Sequence, residues 1–241
     1  MKIGILQTGE APEALRDQGD YPDLFMRLLE GQGFDFVTYP VLHGQFPAHV
    51  TDCDGWLITG SRHGAYEGHP WIAPLEDFIR ASYRAGVPMV GVCFGHQIIA
   101  QAMGGKVEKF SGGWSAGATE YDFGGQRVKL NAWHQDQVVE KPDAAMRIAS
   151  NAFCENAALL YDDRMFTVQA HPEFDQKFMA GLIEKRGKGL VPEAVLSAAA
   201  QALAEPLDRG RMAARIADFF KSKARAKAAA FTPMTQYRVE G

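Results

Sequence analysis

Two short segments of this chain put reactive side chains where such groups can work. The first, residues 90–97, reads Val-Gly-Val-Cys-Phe-Gly-His-Gln. An apolar, strand-length run enters a glycine, then Cys93, then a second glycine and the start of a helical pattern. This Gly-x-Cys-x-Gly layout is the thiol counterpart of a nucleophile elbow, a sharp strand-to-helix turn that presents its central side chain. Gly91 and Gly95 carry no side chain to obstruct that turn. A thiol placed there sits at a helix N-terminus, where the macrodipole and free N–H groups favour the thiolate. The amide of Phe94, the residue after the nucleophile, is positioned to face a developing oxyanion. A cysteine taken alone is commonly an inert, buried small hydrophobe, so a second group must support the reading.

The second segment, residues 165–173, is a strand pattern that ends in His171-Pro172-Glu173. Period-2 alternation sends His171 and Glu173 to one side, and Pro172 stiffens the link between them. A carboxylate bonded to one imidazole nitrogen sets the tautomer and leaves the other nitrogen to work on a thiol. Cys93, His171 and Glu173 thus supply a nucleophile, a base and an orienting acid.

Elements able to hold these groups are legible around them. Apolar runs at 2–6, 34–41, 54–59 and 87–92 alternate with helical patterns at 23–30, 71–85 and 94–103. In the second of these helices Ile72, Leu75, Phe78, Ile79 and Tyr83 form one stripe. Strands buried on both faces and separated by helices predict a parallel sheet with right-handed crossovers. Residues 106–170 change character and read as short antiparallel strands, added to the core as an edge sheet or a cap. Helices return at 176–185, 192–204 and 208–229, with Pro192 in a first-turn position and Pro206 marking a break. The apolar stripe Met212, Ile216, Phe219 and Phe220 needs a partner surface, either the domain or a second copy of the chain in a homodimer.

Together, Gly-Val-Cys-Phe-Gly-His-Gln at 91–97 and Gln-Ala-His-Pro-Glu-Phe at 169–174 resemble the class I, triad-type glutamine amidotransferases, with the stand-alone relatives of the GMP synthase glutaminase domain nearest. The resemblance spans roughly residues 1–175. It implies an α/β, flavodoxin-like three-layer fold with a mixed central sheet, here followed by a C-terminal helical extension at 176–241 packed on the same domain. It implies hydrolysis of a γ-glutamyl amide through a glutamyl-thioester with no cofactor. It also implies Cys93 as nucleophile, His171 as base and acid, and Glu173 as orienter. The Gly60-Ser61 turn would complete the oxyanion hole with Phe94. Gln97 and the run Trp133, His134, Gln135, Asp136 would contact the substrate amino acid. Two departures stand out. Gly60-Ser61-Arg62-His63-Gly64 replaces the family's Gly-Gly-Pro or Gly-Pro-Gly loop, and Gln135 replaces a glycine. Both add side chains beside the γ-glutamyl pocket, which makes γ-glutamyl peptides the alternative substrate. Arg62, His63, Tyr66 and Glu67 are candidates to line an altered entrance.

Composition bounds what remains. With 25 basic and 29 acidic residues among 241, the chain is not a generally basic nucleic-acid binder. Residues 174–241 hold 12 Lys and Arg against 7 Asp and Glu, so the acidic excess lies in residues 1–173. The basic run Lys221, Lys223, Arg225, Lys227 reads as a solvated helix end, where cations suit the dipole. Three scattered cysteines make no disulfide framework, and Cys53 and Cys154 lack the surroundings of Cys93. No membrane-length apolar run or leader is evident, so a cytoplasmic protein is expected. Phosphate-binding loops, dinucleotide fingerprints and His-Glu-x-x-His are absent, and the seven histidines show no metal-ligand spacing. An ammonia-consuming synthetase would therefore be a separate chain. A non-catalytic binding module is disfavoured because all three triad residues are present.

Overall fold

The computed structural model describes residues 1–230, with side chains described to residue 222. Lys223, Arg225 and Lys227, and the end of the extension at 231–241, lie outside the described side chains. Among the described residues, eleven strands and six α-helices begin in the order β1 (Lys2–Leu6), α1 (Tyr21–Leu28), β2 (Asp35–Tyr39), β3 (Gly55–Ile58), α2 (Ile72–Ala85), β4 (Met89–Val92) and α3 (Phe94–Ala102). Next come β5 (Lys106–Lys109), β6 (Ser115–Asp122), β7 (Arg127–His134), β8 (Asp136–Glu140), β9 (Ala145–Ala149), β10 (Ala158–Tyr161) and β11 (Met165–Val168). Helices α4 (Gln176–Leu182), α5 (Glu193–Gln201) and α6 (Arg209–Ala230) complete the chain.

Seven strands make the main sheet in the order β2-β1-β3-β4-β11-β10-β9. Its β2, β1, β3, β4 and β11 run parallel, while β10 and β9 add an antiparallel edge, so the sheet is mixed. The segments read after residue 106 as antiparallel strands of an edge sheet or a cap therefore divide, and β11 departs from that reading by pairing parallel to β4 inside the main sheet. Three of them extend the main sheet, and β5-β8 and β6-β7 form two separate two-stranded sheets. Strand β8, which the sequence pattern did not separate, follows β7 after Gln135 alone.

Alternation along each strand supplies two cores. Ile3, Ile5, Leu57, Val90, Val92, Phe166 and Val168 face α1, α6 and the β6-β7 hairpin. Trp56, Ile58, Met89 and Met165 face α2 and α3. Met212, Ile216 and Phe220 of α6 are fully or almost fully buried within this chain. Their stripe is thereby satisfied by the domain, and Phe219 packs beside them. A third cluster, with Leu15, Leu24, Phe174, Phe178 and Leu182, underlies α4 next to the end of β11. The helical pattern expected over 176–185 breaks after Leu182 into a π-turn at Ile183–Gly187, and Pro192 proves to be the N-cap of α5.

Candidate active site

Strands β4 and β11 pair in parallel, with Val92 opposite Val168. Their C-terminal ends deliver both reactive segments to one edge of the sheet, where open α/β sheets bind ligands. Cys93 is the turn between β4 and α3, held by its N–H donating to Val168 O at 2.9 Å. Its φ of 54° lies in the left-handed region, a strained setting for a residue with a side chain. The two elbow glycines are required by contact. A Cβ on Gly91 would lie 2.4 Å from the Gly95 carbonyl oxygen, and one on Gly95 would lie 2.4 Å from the Ile58 carbonyl oxygen.

Beyond β11 the backbone N–H of His171 donates to Asn131 O of β7 at 2.8 Å. The His171 ring lies flat on Phe174, with centroids 4.0 Å apart and planes 4° apart. Its Nδ1 meets Glu173 Oε1 at 2.7 Å, and the two side chains are only 4% and 1% exposed. Burial alone would lower the basicity of His171. The negative charges of Cys93 and Glu173, and hydrogen bonds to both, outweigh it and raise the imidazole pKa to about 10. The site thus holds the imidazole in its charged form more strongly than water holds a free histidine. The sequence motif left two supports of this arrangement unassigned. Gln169 donates from Nε2 toward Cys93 Sγ at 3.6 Å, and Arg209 of α6 donates to the carbonyls of Pro172 and Glu173 at 2.8 and 3.1 Å. Distance along the chain hid the arginine, and Gln169 carried no signal beyond its place in the motif.

The Gly60-Ser61 turn follows β3 and faces the same edge. The Gly60 carbonyl accepts from the Thr8 and Thr59 hydroxyls at 3.2 and 3.1 Å. In a trans peptide the N–H points opposite to the carbonyl, so these hydroxyls direct the Ser61 amide away from themselves. A Cβ on Gly60 would come within 3.1 Å of His171 Cε1 and 4.0 Å of Cys93 Cβ, so this turn lies against both groups. Phe94, with its N–H in the first turn of α3, occupies the other side of the elbow.

Gln97, one turn into α3, donates to Asp136 O at 2.8 Å and to Gln169 Oε1 at 3.1 Å. The run Trp133, His134, Gln135, Asp136 is the tight β7-to-β8 turn and lines the same cavity as Cys93 and Gln97. His134 is buried, which pushes its pKa down to about 3 with help from nearby His171. Burial raises the Asp136 carboxyl, and the Tyr66 hydroxyl bonded to it at 3.1 Å acts against that shift. Arg62, His63, Tyr66 and Glu67 do line this cavity, which measures about 970 Å³. Its far wall includes Trp114, Leu182, Arg186 and Leu190. His96 packs instead of reacting, with Nδ1 against Thr167 Oγ1 at 2.8 Å and its pKa lowered to about 3, chiefly by burial. Cys53 and Cys154 are free and buried, Cys154 in the same core cluster as Cys93. One arrangement was invisible to sequence spacing. His63, Glu67 and His69, which form no standard ligand pattern, converge at the cavity rim with candidate ligand atoms within 4.8 Å of one another.

A thiol on a strained strand-to-helix elbow, beside a buried His-Glu pair at the carboxyl edge of a mostly parallel sheet, defines an α/β protein built like a cysteine-dependent amidohydrolase. Residues 38–185 match the family described as glutamine amidotransferase class-I. The chain belongs to that family. It is 29% identical to gamma-glutamyl peptidase 4 of Arabidopsis thaliana, covering 75% of this chain and 78% of the relative. It is 36% identical to a glutamine-hydrolyzing GMP synthase component of Methanopyrus kandleri over a shorter stretch, 36% of this chain and 52% of the relative. Among solved structures, a glutamine amidotransferase from Methylobacillus flagellatus superposes with a TM-score of 0.71, 22% identity, and coverage of 93% and 94% of the two chains. No helix among the described residues is long and apolar enough to cross a membrane.

Proposed function

We propose that the chain is a cysteine hydrolase of γ-glutamyl amides, acting through a Cys93-His171-Glu173 triad. The observation that carries this reading is His171, buried, bonded to Glu173 at 2.7 Å and adjacent to Cys93. Cys93 gives its proton to His171, and the thiolate attacks the γ-carbonyl carbon. The N–H groups of Phe94 and of the Gly60-Ser61 turn stabilise the oxyanion. Collapse breaks the C–N bond, and His171 delivers its proton to the departing amine. His171 then takes a proton from water as the hydroxide attacks the thioester, which releases glutamate and restores the thiol. Gln97, Trp133, His134, Gln135 and Asp136 form the γ-glutamyl side of the cavity. Glu173 and Phe174 keep the imidazole in register throughout.

The leaving group is larger than ammonia in this reading. Ligand cavities of drug-sized molecules run to roughly 1,000 Å³, and about 970 Å³ is open around Cys93, far more than one amino acid fills. The resemblance over three quarters of the chain to a protein named as a γ-glutamyl peptidase supports the same choice. A second reading, a glutaminase that feeds ammonia to a separate synthetase chain, is supported by the shorter likeness to the GMP synthase component. Residues 176–222 belong to the catalytic unit in either case, because α6 supplies both a core stripe and Arg209.

A substrate panel of glutamine, γ-glutamyl dipeptides, glutathione and a glutathione conjugate separates these readings, with ammonia and free glutamate measured independently. Turnover of the peptides that is lost in Cys93→Ala is the expected result. Weak turnover of glutamine alone transfers the case to the ammonia-feeding reading. Activity that survives Cys93→Ala overturns the triad.

A further inference from the structure

Besides the thiol site, the described residues bring one set of metal-ligand side chains together, on the rim of the cavity. His63 Nδ1 and His69 Nε2 both approach the same oxygen, Glu67 Oε2, at 3.2 and 2.6 Å. We propose that His63, Glu67 and His69 form a binding site for a divalent transition-metal ion of the zinc type. This inference is independent of what Cys93 hydrolyses.

The donor set selects the ion. Two imidazole nitrogens and one carboxylate oxygen match three-ligand zinc sites that keep a fourth position open. Calcium and magnesium prefer all-oxygen shells, so the imidazoles argue against them. Tetrahedral bonds of about 2.0–2.1 Å put neighbouring ligand atoms roughly 3.3 Å apart. The His63-to-Glu67 separation of 3.2 Å already fits. The 2.6 Å contact from His69 to Glu67 is a hydrogen bond, and it would open by about 0.7 Å to reach that separation once an ion replaces the shared proton.

The three groups are also supported from behind, as metal ligands usually are. The other Glu67 oxygen, Oε1, accepts the Gly64 N–H at 3.0 Å. His69 stacks on the Trp71 indole with planes 9° apart, and Trp71 packs on Phe94 beside the elbow at 5.5 Å. His63 and His69 rings already meet at 4.1 Å. All three ligands come from one seven-residue stretch, so assembling them costs little loop-closure entropy. The side chains are 25%, 41% and 33% exposed in chain order, which leaves an entry path and a free coordination position. An ion there ties down the same loop that carries Tyr66, whose hydroxyl bonds Asp136 across the cavity.

The test uses tag-free, full-length Cys93→Ala protein, because the thiol-imidazole pair would itself take a soft metal. Titration with Co²⁺ reads the visible d–d bands, calorimetry with Zn²⁺ reads stoichiometry, and thermal unfolding reads metal-linked stabilisation. Expected are one equivalent of Zn²⁺, intense low-coordinate Co²⁺ bands and a higher Tm with Zn²⁺. His69→Ala and Glu67→Gln in the same background should each weaken binding by about tenfold or more. Equal affinity in the loop variants overturns the site. So does a Cys93→Ala protein, with its loop intact, that shows no Co²⁺ band and no Zn²⁺-dependent rise in Tm.

Discussion

Glu173→Gln removes a charge while preserving a shape, and so isolates the electrostatics of the site. Glu173 Oε1 accepts from His171 Nδ1 at 2.7 Å, whereas Oε2 is buried with no hydrogen-bond partner among the described residues. A glutamine carbonyl can take the place of Oε1, with its NH₂ turned to the Oε2 position, and the imidazole stays oriented. What is lost is the difference between a hydrogen bond to a charged group and a neutral one, about 1–1.5 kcal/mol. At 1.36 kcal/mol per pH unit, the His171 titration midpoint falls by about one pH unit. His171 is raised to about 10 in the native protein, so it contributes stability that is whole below its unfolded value near 6.5 and is lost as pH climbs through the folded value. The variant should therefore lose stability at neutral pH, and that deficit should shrink as the pH rises past the wild-type midpoint. Turnover should fall by about 10²–10⁴, since the proposed base loses its compensating anion. Imidazole titration by NMR, kcat, and urea unfolding at several pH values read the three consequences. Full kcat together with an unmoved His171 titration would refute the coupling of Glu173 to His171.

Three further outcomes follow from other contacts. Cys93→Gly and Cys93→Ala both remove the thiol, but only glycine relieves the φ of 54°, so Cys93→Gly should be more stable than Cys93→Ala by about 1 kcal/mol, or roughly 2–4 °C in Tm, with turnover absent in both. A Cys93→Gly no more stable than Cys93→Ala would mean that the elbow stores no strain. Arg209→Ala removes two hydrogen bonds to the His-Pro-Glu turn and should lower kcat about tenfold or more, with KM little changed and stability reduced by about 2 kcal/mol; Arg209→Lys should recover only part, because its ammonium lacks the planar fork. A kcat equal to wild type would make Arg209 purely structural. His96 and His134 are buried with pKa values pushed down to about 3, so below pH 6.5 the unfolded chain binds protons that the native one refuses. Stability should fall by about 1.4 kcal/mol per pH unit for each of them, and His96→Asn should flatten part of that slope in urea unfolding.

The reactive pair and its scaffold were legible because their signals are local. A glycine-flanked cysteine between an apolar run and a helical stripe has few structural readings, and His-Pro-Glu at a strand end has few more. The cross-sheet partners were not legible. Thr8 and Thr59 follow different strands, and only the sheet brings their hydroxyls together on the Gly60 carbonyl. Arg209 follows the turn it clamps by 36 residues. The rim cluster needed the folded path of its loop, since spacings of four and two residues match neither a helical nor a strand ligand pattern.

Sequence by itself determined the chemistry on offer: a thiol, an imidazole and a carboxylate, each in a segment whose glycines, proline and apolar period dictate its local backbone. Only tertiary structure decided that the thiol and the imidazole meet. Parallel pairing of β4 with β11 carries Cys93 to residues 78 positions further on, and there the charges and hydrogen bonds of Cys93 and Glu173 outweigh desolvation and make His171 basic. The same packing turned the C-terminal stripe into core, with Phe220 and Ile216 fully buried, and brought His63, Glu67 and His69 of an ordinary polar loop together. Backbone geometry is a short-range property that composition and period reveal. Burial, charge coupling and convergence depend on neighbours that only the completed sheet supplies.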